Sequence, residues 1–561
     1  MIKGSEALWQ ALIDEGVKTV FGYPGGQIMP VYDSLCKYQD QVRHILVRHE
    51  QGAIHAAQGF ARVGGEPGVV IVTSGPGATN VITGVADAMS DSTPLVVITG
   101  QVSSAALGTD AFQEADVIGL TAPISKWNYQ IRSADEVTWA IARAFYIART
   151  GRPGPVVLDF TKDAQVGLTD YHFEPCTFIR SYVPDPKVSE HAVNKAVALL
   201  DQAERPFVVF GQGVILGHAE EELRAFLEKG DIPAGSTLLG LSALPSGFPL
   251  YRGMIGMHGN IAPNLMTNAC DVLVAVGMRF DDRVTGTVST YARQAKIIHI
   301  DIDTAEIGKI IPVTVGVRGD AKQVLKELTA RMQPRKHPEW NAGFDRCDSV
   351  EKERVIDPEV HPADGMLRMG EVVDRVVRAS GEKAVVVTDV GQNQLFATRY
   401  FKYNKNRSIA TSGGLGTMGY GMPAAIGATF GAPGRTVVCF MGDGGFQMCI
   451  EELGTIMEQQ APVKMVLMNN NYLGNVRQWQ DMFWQRRKSF TKMMNPCYEQ
   501  VAKAYGIPYQ AVVERKDLQA AIQKMLATDG PYIMECAILE EDDVLPMTPP
   551  GKSVDEMMLE V

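Results

Sequence analysis

Short apolar runs rich in β-branched residues alternate with longer helical patterns along the whole chain. Continuous apolar runs of this length are typical of strands buried on both faces, and their alternation with helices is typical of parallel sheets joined by crossover helices. The sequence therefore predicts an α/β protein built from doubly wound parallel sheets. The clearest runs are 69–73 (VVIVT), 95–99 (LVVIT), 207–210 (FVVF), 272–276 (VLVAV), 297–300 (IIHI), 384–388 (AVVVT), 437–441 (VVCFM) and 463–468 (VKMVLM).

Two polar segments that contain prolines interrupt this alternation, at 181–190 and 331–362. A chain of 561 residues is longer than one hydrophobic core can organise, so several domains are expected. We interpret the two polar segments as linkers. The predicted domains are 1–180, 190–335 and 363–561.

The first and last thirds of the chain share a plan. Each has an early strand that ends in a polar glycine turn, at 21–27 (FGYPGGQ) and 388–394 (TDVGQNQ). Each then has a strand that enters a second glycine-containing turn, at 73–80 (TSGPGATN) and 441–448 (MGDGGFQM). This predicts a duplicated α/β unit on either side of a different central domain.

Composition and charge exclude several classes of protein. The net charge is −11 and Lys and Arg are scattered, which argues against nucleic-acid binding. The eight cysteines show no CxxC spacing, as expected for reduced thiols in the cytoplasm. No apolar run approaches the roughly 18 residues that a membrane span needs, and an amphipathic helix near residues 7–12 leaves no room for a signal peptide. We expect a cytoplasmic protein that does not insert into membranes.

The most informative chemistry lies between residues 437 and 479. After the strand at 437–441, the turn GDGG at 442–445 opens a helix, whose first amides can face an anion. Asp443 puts a carboxylate at the same place, which suits a phosphate only if a cation lies between them. The next predicted strand ends in the asparagines 469–471, and parallel strands bring their carboxyl ends to one edge of a sheet. Carboxylate, amide, carbonyl and diphosphate oxygens would form the shell that Mg²⁺ prefers.

A GDG turn alone can be an ordinary strand-to-helix connection. Here Asn470 follows Asp443 by 27 positions (470 − 443), at the end of the next strand. On this combination the chain is identified as a member of the thiamine-diphosphate decarboxylase and carboligase superfamily. The resemblance implies that Mg²⁺ is bound by Asp443, Asn470 and the main-chain carbonyl of Tyr472. It also implies that the diphosphate is bound by Val390, Gly391, Gln392, Asn393, Gly444 and Gly445.

Glu50 is the candidate catalytic carboxylate. It stands in LVRHEQGAIHAAQGFAR (46–62), between a strand-like run and a helix rich in Ala and Gly, where an acidic residue could also serve only to stabilise the helix start. The segment resembles the RHEQ-A pattern of the superfamily, which implies that Glu50 hydrogen-bonds N1' of the cofactor's aminopyrimidine. Because Glu50 and the GDG turn lie in different domains, the cofactor would bridge an interface, which by resemblance lies between two subunits.

Further segments resemble the acetohydroxyacid synthases, the biosynthetic FAD-containing carboligases. They include 20–33 (VFGYPGGQIMPVYD), 108–117 (GTDAFQEADV), 152–163 (RPGPVVLDFTKD), 254–259 (MIGMHG), 277–286 (GMRFDDRVTG) and 299–309 (HIDIDTAEIGK), so the resemblance covers nearly the whole chain. In the glycine-rich segment 411–428 (TSGGLGTMGYGMPAAIGA), it implies that Gly416 binds the 4'-amino group and that Met418 bends the cofactor.

The same resemblance assigns residues to the substrates. Arg283 would hold a substrate carboxylate with a bidentate fork, although an ion pair with Asp281 or Asp282 is an alternative. Trp479 would shape the pocket of the second substrate and favour 2-oxobutyrate over pyruvate. Two positions depart from the family pattern, with Asn393 in place of the usual His and Asn475 in place of the usual Met. The remaining residues expected near the reacting groups are Gly26, Phe112, Gln113 and Lys162.

The central third is expected to bind FAD. Its GxGxxxG pattern at 211–217 is one residue longer than the dinucleotide fingerprint and is weak alone. By resemblance the flavin has no redox role in the net reaction. The residues expected to contact it are Arg152, Gly211, Gly213, Thr237, Leu238, Met257, His258, Arg279, Asp281, Glu306, Ile307 and Asp320.

The expected activity is that of an acetohydroxyacid (acetolactate) synthase with thiamine diphosphate, Mg²⁺ and FAD. Such a transferase decarboxylates pyruvate and joins the remaining two-carbon unit to pyruvate, giving 2-acetolactate, or to 2-oxobutyrate, giving 2-aceto-2-hydroxybutyrate. This is the first common step of valine, leucine and isoleucine biosynthesis. Expected partners are the 2-oxo acids, further copies of the chain in a dimer or tetramer, and a small regulatory subunit. The alternatives are another thiamine-diphosphate carboligase, oxidase or decarboxylase, and a regulatory or scaffold protein that kept only the fold.

Overall fold

The computed structural model describes residues 1–381 and 383–560, and it contains three six-stranded parallel sheets. Each sheet has one hydrophobic core on either face. In the first sheet, for example, Val69 and Ile71 point into one core and Val70 and Val72 into the other. This confirms the predicted α/β fold with doubly covered parallel sheets.

The first sheet has the strand order β3-β2-β4-β5-β7-β6, and β1 pairs separately with β8 in antiparallel fashion. Its strands are β1 (Ile2–Lys3), β2 (Thr19–Gly22), β3 (Arg43–Leu46), β4 (Gly68–Val72), β5 (Leu95–Gln101), β6 (Trp127–Ile131), β7 (Pro155–Thr161) and β8 (Leu168–Thr169). The α-helices around it are Gly4–Asp14, Met29–Leu35, Glu50–Gly64, Pro76–Asn80, Ile82–Ser90, Val117–Thr121, Val137–Arg149 and Lys162–Val166.

The central sheet has the order β11-β10-β9-β12-β13-β14. Its strands are β9 (Pro206–Phe210), β10 (Ala234–Ser236), β11 (Tyr251–Met254), β12 (Val272–Val276), β13 (Lys296–Asp301) and β14 (Val315–Arg318). The α-helices here are Glu190–Leu200, Gly213–Leu216, Glu220–Gly230, Ile261–Thr267, Asp282–Thr285, Ala321–Arg331 and Pro338–Glu351.

The third sheet has the order β16-β15-β17-β18-β20-β19. Its strands are β15 (Val385–Thr388), β16 (Ile409–Ala410), β17 (Val437–Gly442), β18 (Val463–Asn469), β19 (Tyr509–Val512) and β20 (Tyr532–Ala537). The α-helices are Asp357–Val360, Met369–Ser380, Gln392–Tyr400, Gly421–Gly431, Asp443–Met448, Leu453–Gln459, Gly474–Phe483, Tyr498–Ala504 and Arg515–Ala527.

The first and third sheets have the same connectivity. If the strands of each are numbered from its first parallel strand, both read 2-1-3-4-6-5, whereas the central sheet reads 3-2-1-4-5-6. The central order is that of dinucleotide-binding folds, in which ligands bind where the strand order reverses. The shared order of the outer sheets agrees with the duplication predicted from their glycine turns.

Two helices of small residues join the first and third sheets. A Cβ atom on Gly59 would lie 2.0 Å from the Ala424 carbonyl oxygen, and one on Gly427 would lie 1.7 Å from that of Ala56. The helices Glu50–Gly64 and Gly421–Gly431 therefore pack backbone against backbone, which explains why both are rich in Ala and Gly.

The polar segment 331–362 is largely helical. Helix Pro338–Glu351 packs Trp340 and Phe344 into the core of the central sheet. The eight cysteines, all of which lie in the described residues, are unpaired. Among residues 1–381 and 383–560, no helix is both long enough and apolar enough to cross a membrane.

Candidate active site

The GDG turn and the asparagine run lie side by side at one edge of the third sheet. β17 and β18 are neighbouring parallel strands in which Gly442 pairs with Met468. Asp443 directly follows β17, and Asn470 directly follows β18. The structure thus brings together the two side chains that the spacing of the sequence placed at a common edge.

Asp443 is a buried carboxylate without a cationic partner. Its side chain is 1% exposed, and in the described part of the chain no Lys or Arg forms an ion pair with it. Its oxygens accept hydrogen bonds from the Gly444 amide at 3.1 Å and from the Asn495 side-chain amide at 2.7 Å. Burial raises the pKa of Asp443, because it penalises the charged form. A divalent cation at this carboxylate would offset that penalty.

Asn470 is oriented by its neighbours. Its Nδ2 donates to Gln392 Oε1 at 3.3 Å, and its Oδ1 accepts from the Tyr472 amide at 3.2 Å. Asn495, which the sequence analysis did not single out, donates to Asn469 Oδ1 at 2.8 Å and to Asn471 Oδ1 at 3.2 Å as well as to Asp443. It ties both strand ends together. A carboxylate oxygen and a neighbouring amide oxygen are ligand types that Mg²⁺ prefers.

No group of three or more His, Cys, Asp and Glu side chains that could hold a metal ion occurs in residues 1–381 and 383–560. Asp443 is a single carboxylate surrounded by amides, so the proposed metal site differs from a cluster of three such side chains.

The turn after β15 presents backbone amides at the same edge. Gly391 has φ +131°, and the helix Gln392–Tyr400 begins directly after it. The Gly391 carbonyl accepts from the amides of Gln394 and Leu395, which leaves those of Gln392 and Asn393 without a carbonyl partner inside the helix. The Asn393 side chain donates to the carbonyls of Asp389 at 2.9 Å and Phe440 at 3.1 Å. The Asn393 side chain therefore fixes the turn.

Asp389 organises the glycine turns and was not recognised in the sequence. The fully buried carboxylate accepts hydrogen bonds from the amides of Val390 at 2.8 Å, Gly419 at 3.0 Å and Gly421 at 2.9 Å. Burial raises its pKa. A Cβ on Gly445 would lie 2.5 Å from Asp389 Oδ1, so that glycine is required for the close approach. The signal was its position in the quoted motif TDVGQNQ.

Gly416 and Met418 lie on the loop that Asp389 holds. Gly416 has φ +71°, which favours glycine. A Cβ on Gly444 would meet the Met418 methyl group at 2.7 Å, so Met418 lies directly over the GDG turn.

A second group of predicted residues lies at the carboxyl edge of the first sheet. Glu50 is the first residue of its helix and is half-buried, and its Oε2 accepts from the Asn80 side chain at 2.9 Å. The Glu452 carboxylate accepts from the amides of Arg48 and His49 at 3.0 Å each and so fixes the start of that helix. Asn80 and Glu452 were not predicted.

The other predicted members of this group are Gly26, Phe112, Gln113 and Lys162, and Gln113 lies against the glycine turn 73–80 that also contains Asn80. Lys162 Nζ donates to the Gly26 carbonyl at 3.4 Å. Gln113 lies against Gly75 and has φ +61°, and Phe112 is 84% exposed. A Cβ on Gly77 would lie 3.6 Å from Glu50 Oε1. The turn therefore connects Glu50 with Gln113.

A cavity of about 570 Å³ is lined by residues of all three domains, and its volume is within the usual range for cofactor pockets. Val390, Gly391 and Gly416 line it on the side of the third sheet, together with Arg283 and Trp479. Every residue predicted to contact FAD also lines it, except Ile307, which packs over Gly316. In the described chain, none of the Glu50 group lines this cavity.

Several cavity residues have an internal role as well. Gly213 donates its amide to the Gly277 carbonyl at 2.9 Å, and a Cβ on Gly211 would lie 2.5 Å from that oxygen. Asp320 caps the helix Ala321–Arg331 by accepting from the Gln323 amide at 3.1 Å. The weak GxGxxxG pattern thus marks a close contact between two turns that also border the cavity.

His258 offers an unused polar atom to the cavity. The residue is buried and lines the cavity, and its Nδ1 has no hydrogen-bond partner within the described structure. Burial, followed by the charges of Arg399 and Arg283, lowers its pKa to about 3, so the ring is neutral at physiological pH. A buried ring nitrogen without a partner fits a cavity that holds a polar ligand.

Arg283 lies over Trp479 at the cavity wall. Its guanidinium carbon is 5.7 Å from the Trp479 ring centre, and the side chain is 58% exposed. Asp282 is 3.7 Å away, whereas Asp281 accepts from the amides of Arg283 and Val284 and fixes their turn. Arg283 thus forms the alternative ion pair with Asp282, but the distance is long. Guanidinium donors of Arg283 therefore remain available for a ligand.

Fold and site together define a thiamine pyrophosphate enzyme. Family models for these enzymes match in chain order: the N-terminal TPP binding domain at residues 2–120, the central domain at 193–328 and the C-terminal TPP binding domain at 389–536. The chain is also similar over nearly its whole length to curated proteins. It is 44% identical to the acetolactate synthase isozyme 2 large subunit of Escherichia coli, with 99% of each chain covered.

Two further relatives come from distant sources. The chain is 41% identical to the acetolactate synthase large subunit of Lactococcus lactis, covering 99% of this chain and 96% of the relative. It is also 41% identical to the chloroplastic acetolactate synthase 2 of Nicotiana tabacum, covering 100% and 85%. The chain belongs to the family of acetolactate synthase large subunits and is a thiamine-dependent enzyme.

Proposed function

We propose that this acetolactate synthase is of the biosynthetic type that holds Mg²⁺ and FAD, and that it serves branched-chain amino acid biosynthesis with both pyruvate and 2-oxobutyrate as acceptors. The observation that carries the metal site is the buried, unpaired carboxylate of Asp443 beside Asn470. Asp443, Asn470 and the Tyr472 carbonyl hold the Mg²⁺. The turns at 390–393 and 444–445 bind the diphosphate with main-chain amides other than those of Val390 and Gly444, which already donate to Asp389 and Asp443.

Thiamine diphosphate, when bound, stabilises the electron pair that decarboxylation leaves on the substrate. The protein supplies proton transfer and orientation. Glu50, held in place by Asn80 and by the helix start that Glu452 fixes, would hydrogen-bond N1' of the aminopyrimidine and hold or move a proton there. The Gly416 carbonyl would accept from the 4'-amino group, and Met418, which lies over the GDG turn, would pack against the cofactor. Gly26, Phe112, Gln113 and Lys162 border the reacting groups.

FAD is proposed for the cavity that residues of all three domains line. The cavity volume, the glycine turns and the unpaired Nδ1 of His258 support this assignment. Arg152, which donates to Glu306 Oε1 at 2.8 Å and to Ser92 Oγ at 2.9 Å, stands at one end with guanidinium donors fixed in direction. The flavin has a structural role there.

We propose that the active site is completed by a second copy of the chain. Support comes from the cavity wall, since Val390, Gly391 and Gly416 of the third domain line the cavity, whereas Glu50 and the residues around the turn 73–80 do not. A homodimer or homotetramer follows. Several relatives are named large subunits, which supports a small regulatory subunit as a further partner. The unpaired cysteines support a cytoplasmic location.

Product identification tests this function. The purified protein, incubated with pyruvate and 2-oxobutyrate, is expected to form 2-acetolactate and 2-aceto-2-hydroxybutyrate, because both are condensations of the same two-carbon unit. Omission of thiamine diphosphate, or addition of a chelator, should abolish both products. Acetaldehyde or acetate as the main product would contradict the proposal and indicate a decarboxylase or an oxidase.

Trp479→Leu is expected to remove the preference for 2-oxobutyrate. The larger acceptor exceeds pyruvate by one methylene, which an apolar pocket distinguishes by about 10- to 200-fold, and loss of the ring opens the pocket. The measurement is the ratio of the two products in a competition assay. Phe483, whose ring centre is 6.2 Å from that of Trp479, provides the control variant Phe483→Leu. An unchanged ratio in Trp479→Leu would count against the assignment.

A further inference from the structure

The wall of the 570 Å³ cavity that carries Arg283 also carries two buried polar atoms without partners. Asn475 Oδ1 and Trp479 Nε1 are both buried, and neither has a hydrogen-bond partner within the described structure. Asn475 and Trp479 are separated by four positions on the helix Gly474–Phe483, so they lie on the same helix face. One acceptor and one donor thus stand together at the cavity wall.

Leaving such atoms unpaired is unfavourable. A buried polar group that loses water without gaining a partner destabilises the site, and native structures contain few of them. The nearby polar groups do not satisfy them, because Asp281 accepts from the main chain of the Arg283 turn and Arg283 lies over the ring face of Trp479. A ligand that brings a hydroxyl group can pair with either atom, because a hydroxyl both donates and accepts.

The charge beside these atoms indicates the rest of the ligand. Arg283 is a cation of this wall, lies over the Trp479 ring and has guanidinium donors left for a carboxylate. We propose that the acceptor site takes short 2-oxo acids that carry a hydroxyl on the carbon next to the ketone, and that Asn475 selects them. This inference rests on the proposed role of Arg283 in holding the acceptor. 3-Hydroxypyruvate is the smallest such acid.

The reaction with this acceptor balances without a further reactant. The C1–C2 bond of pyruvate breaks and carbon dioxide leaves. The electron pair that remains on C2 forms a bond to the ketone carbon of 3-hydroxypyruvate, and the ketone oxygen takes up one proton. The product is 2-aceto-2,3-dihydroxypropanoate, and nothing is oxidised or reduced by an outside reagent.

The test uses the complete enzyme with its cofactors, ¹³C-methyl pyruvate and unlabelled 3-hydroxypyruvate in equal amounts. The wild-type protein is expected to form the mixed product, with the label in its acetyl group. Asn475→Met should lower the ratio of mixed product to acetolactate by about tenfold, which corresponds to one buried hydrogen bond. Val476→Ala, at an exposed position on the same helix, is the matched control and should leave the ratio unchanged.

A binding measurement separates recognition from turnover. Glycerate and lactate differ by the hydroxyl in question, and neither can react as an acceptor. Titration calorimetry should show that wild-type protein binds glycerate about tenfold more tightly than lactate, and that Asn475→Met does not distinguish them. An equal shift in Val476→Ala, or no change in the ratios with Asn475→Met, would overturn the proposal. So would acetolactate formed normally without mixed product, whereas absence of acetolactate from pyruvate alone would overturn the proposed function as well.

Discussion

Glu50→Gln is expected to lower turnover by about 10² to 10⁴-fold, while the affinity for thiamine diphosphate changes much less. A glutamine keeps an oxygen that can accept from Asn80, which lies 2.9 Å from Glu50 Oε2, so the local structure persists. It cannot exchange a proton with N1' of the aminopyrimidine. The loss should therefore appear in the rate and not in binding of the diphosphate, for which the proposed site lies in the third domain.

The measurement combines steady-state acetolactate formation with cofactor titration by calorimetry. Glu66→Gln is the matched control, because Glu66 is an exposed glutamate just beyond the end of the same helix. Near-wild-type turnover in Glu50→Gln would remove the catalytic role and leave Glu50 as a helix-start residue that interacts with the macrodipole.

The fold was largely readable from the sequence because each buried strand is a continuous apolar run. The run predicted at 272–276 is strand Val272–Val276, and the run at 463–468 lies within Val463–Asn469. Parallel sheets covered on both faces leave no polar alternation to confuse the pattern. The duplicated glycine turns similarly anticipated the identical strand orders of the outer sheets.

The segment 331–362 shows where local composition is insufficient. Its prolines and charges favour a linker, yet Trp340 and Phe344 attach a helix to the central core. Two aromatic anchors separated by four positions outweigh a polar background, because each buries a large apolar area. Such anchoring depends on the core of the central sheet, which receives the two rings. The sequence of the helix alone does not show that this core is there.

The candidate site divides in the same way. Asp443 and Asn470 were predictable, since strand ends of a parallel sheet meet at one edge and the spacing identified neighbouring strands. Asp389, Asn495 and Glu452 were not, because each acts on main-chain amides or side chains far away in the sequence. A buried polar residue that hydrogen-bonds to a distant part of the backbone cannot be recognised from the sequence around it. Such residues nevertheless fix the geometry of the residues whose motifs are recognisable.

Asp443→Asn is expected to reduce the affinity for Mg²⁺ and, with it, for thiamine diphosphate by about 10²-fold or more. Loss of partners that only orient a metal ligand already costs about 10- to 100-fold in metal affinity, and this change removes the sole carboxylate of the proposed set. The side chain keeps its shape and its burial. Activity should fall in parallel and should return only in part at high Mg²⁺.

The metal-free protein supplies the distinguishing result. Because burial raises the pKa of Asp443 in the folded state, its ionisation opposes folding, and stability is lost as pH rises from the unfolded value towards the raised folded value. At neutral pH without metal, Asp443→Asn should therefore unfold at a temperature at least as high as the wild type. Addition of Mg²⁺ with thiamine diphosphate should stabilise the wild type and leave the variant nearly unchanged.

Asp529→Asn, an exposed change of the same type in the same domain, should behave as the wild type. Equal stabilisation of Asp443→Asn by the cofactors would place the metal elsewhere, whereas a less stable metal-free variant would show that Asp443 is needed for folding itself.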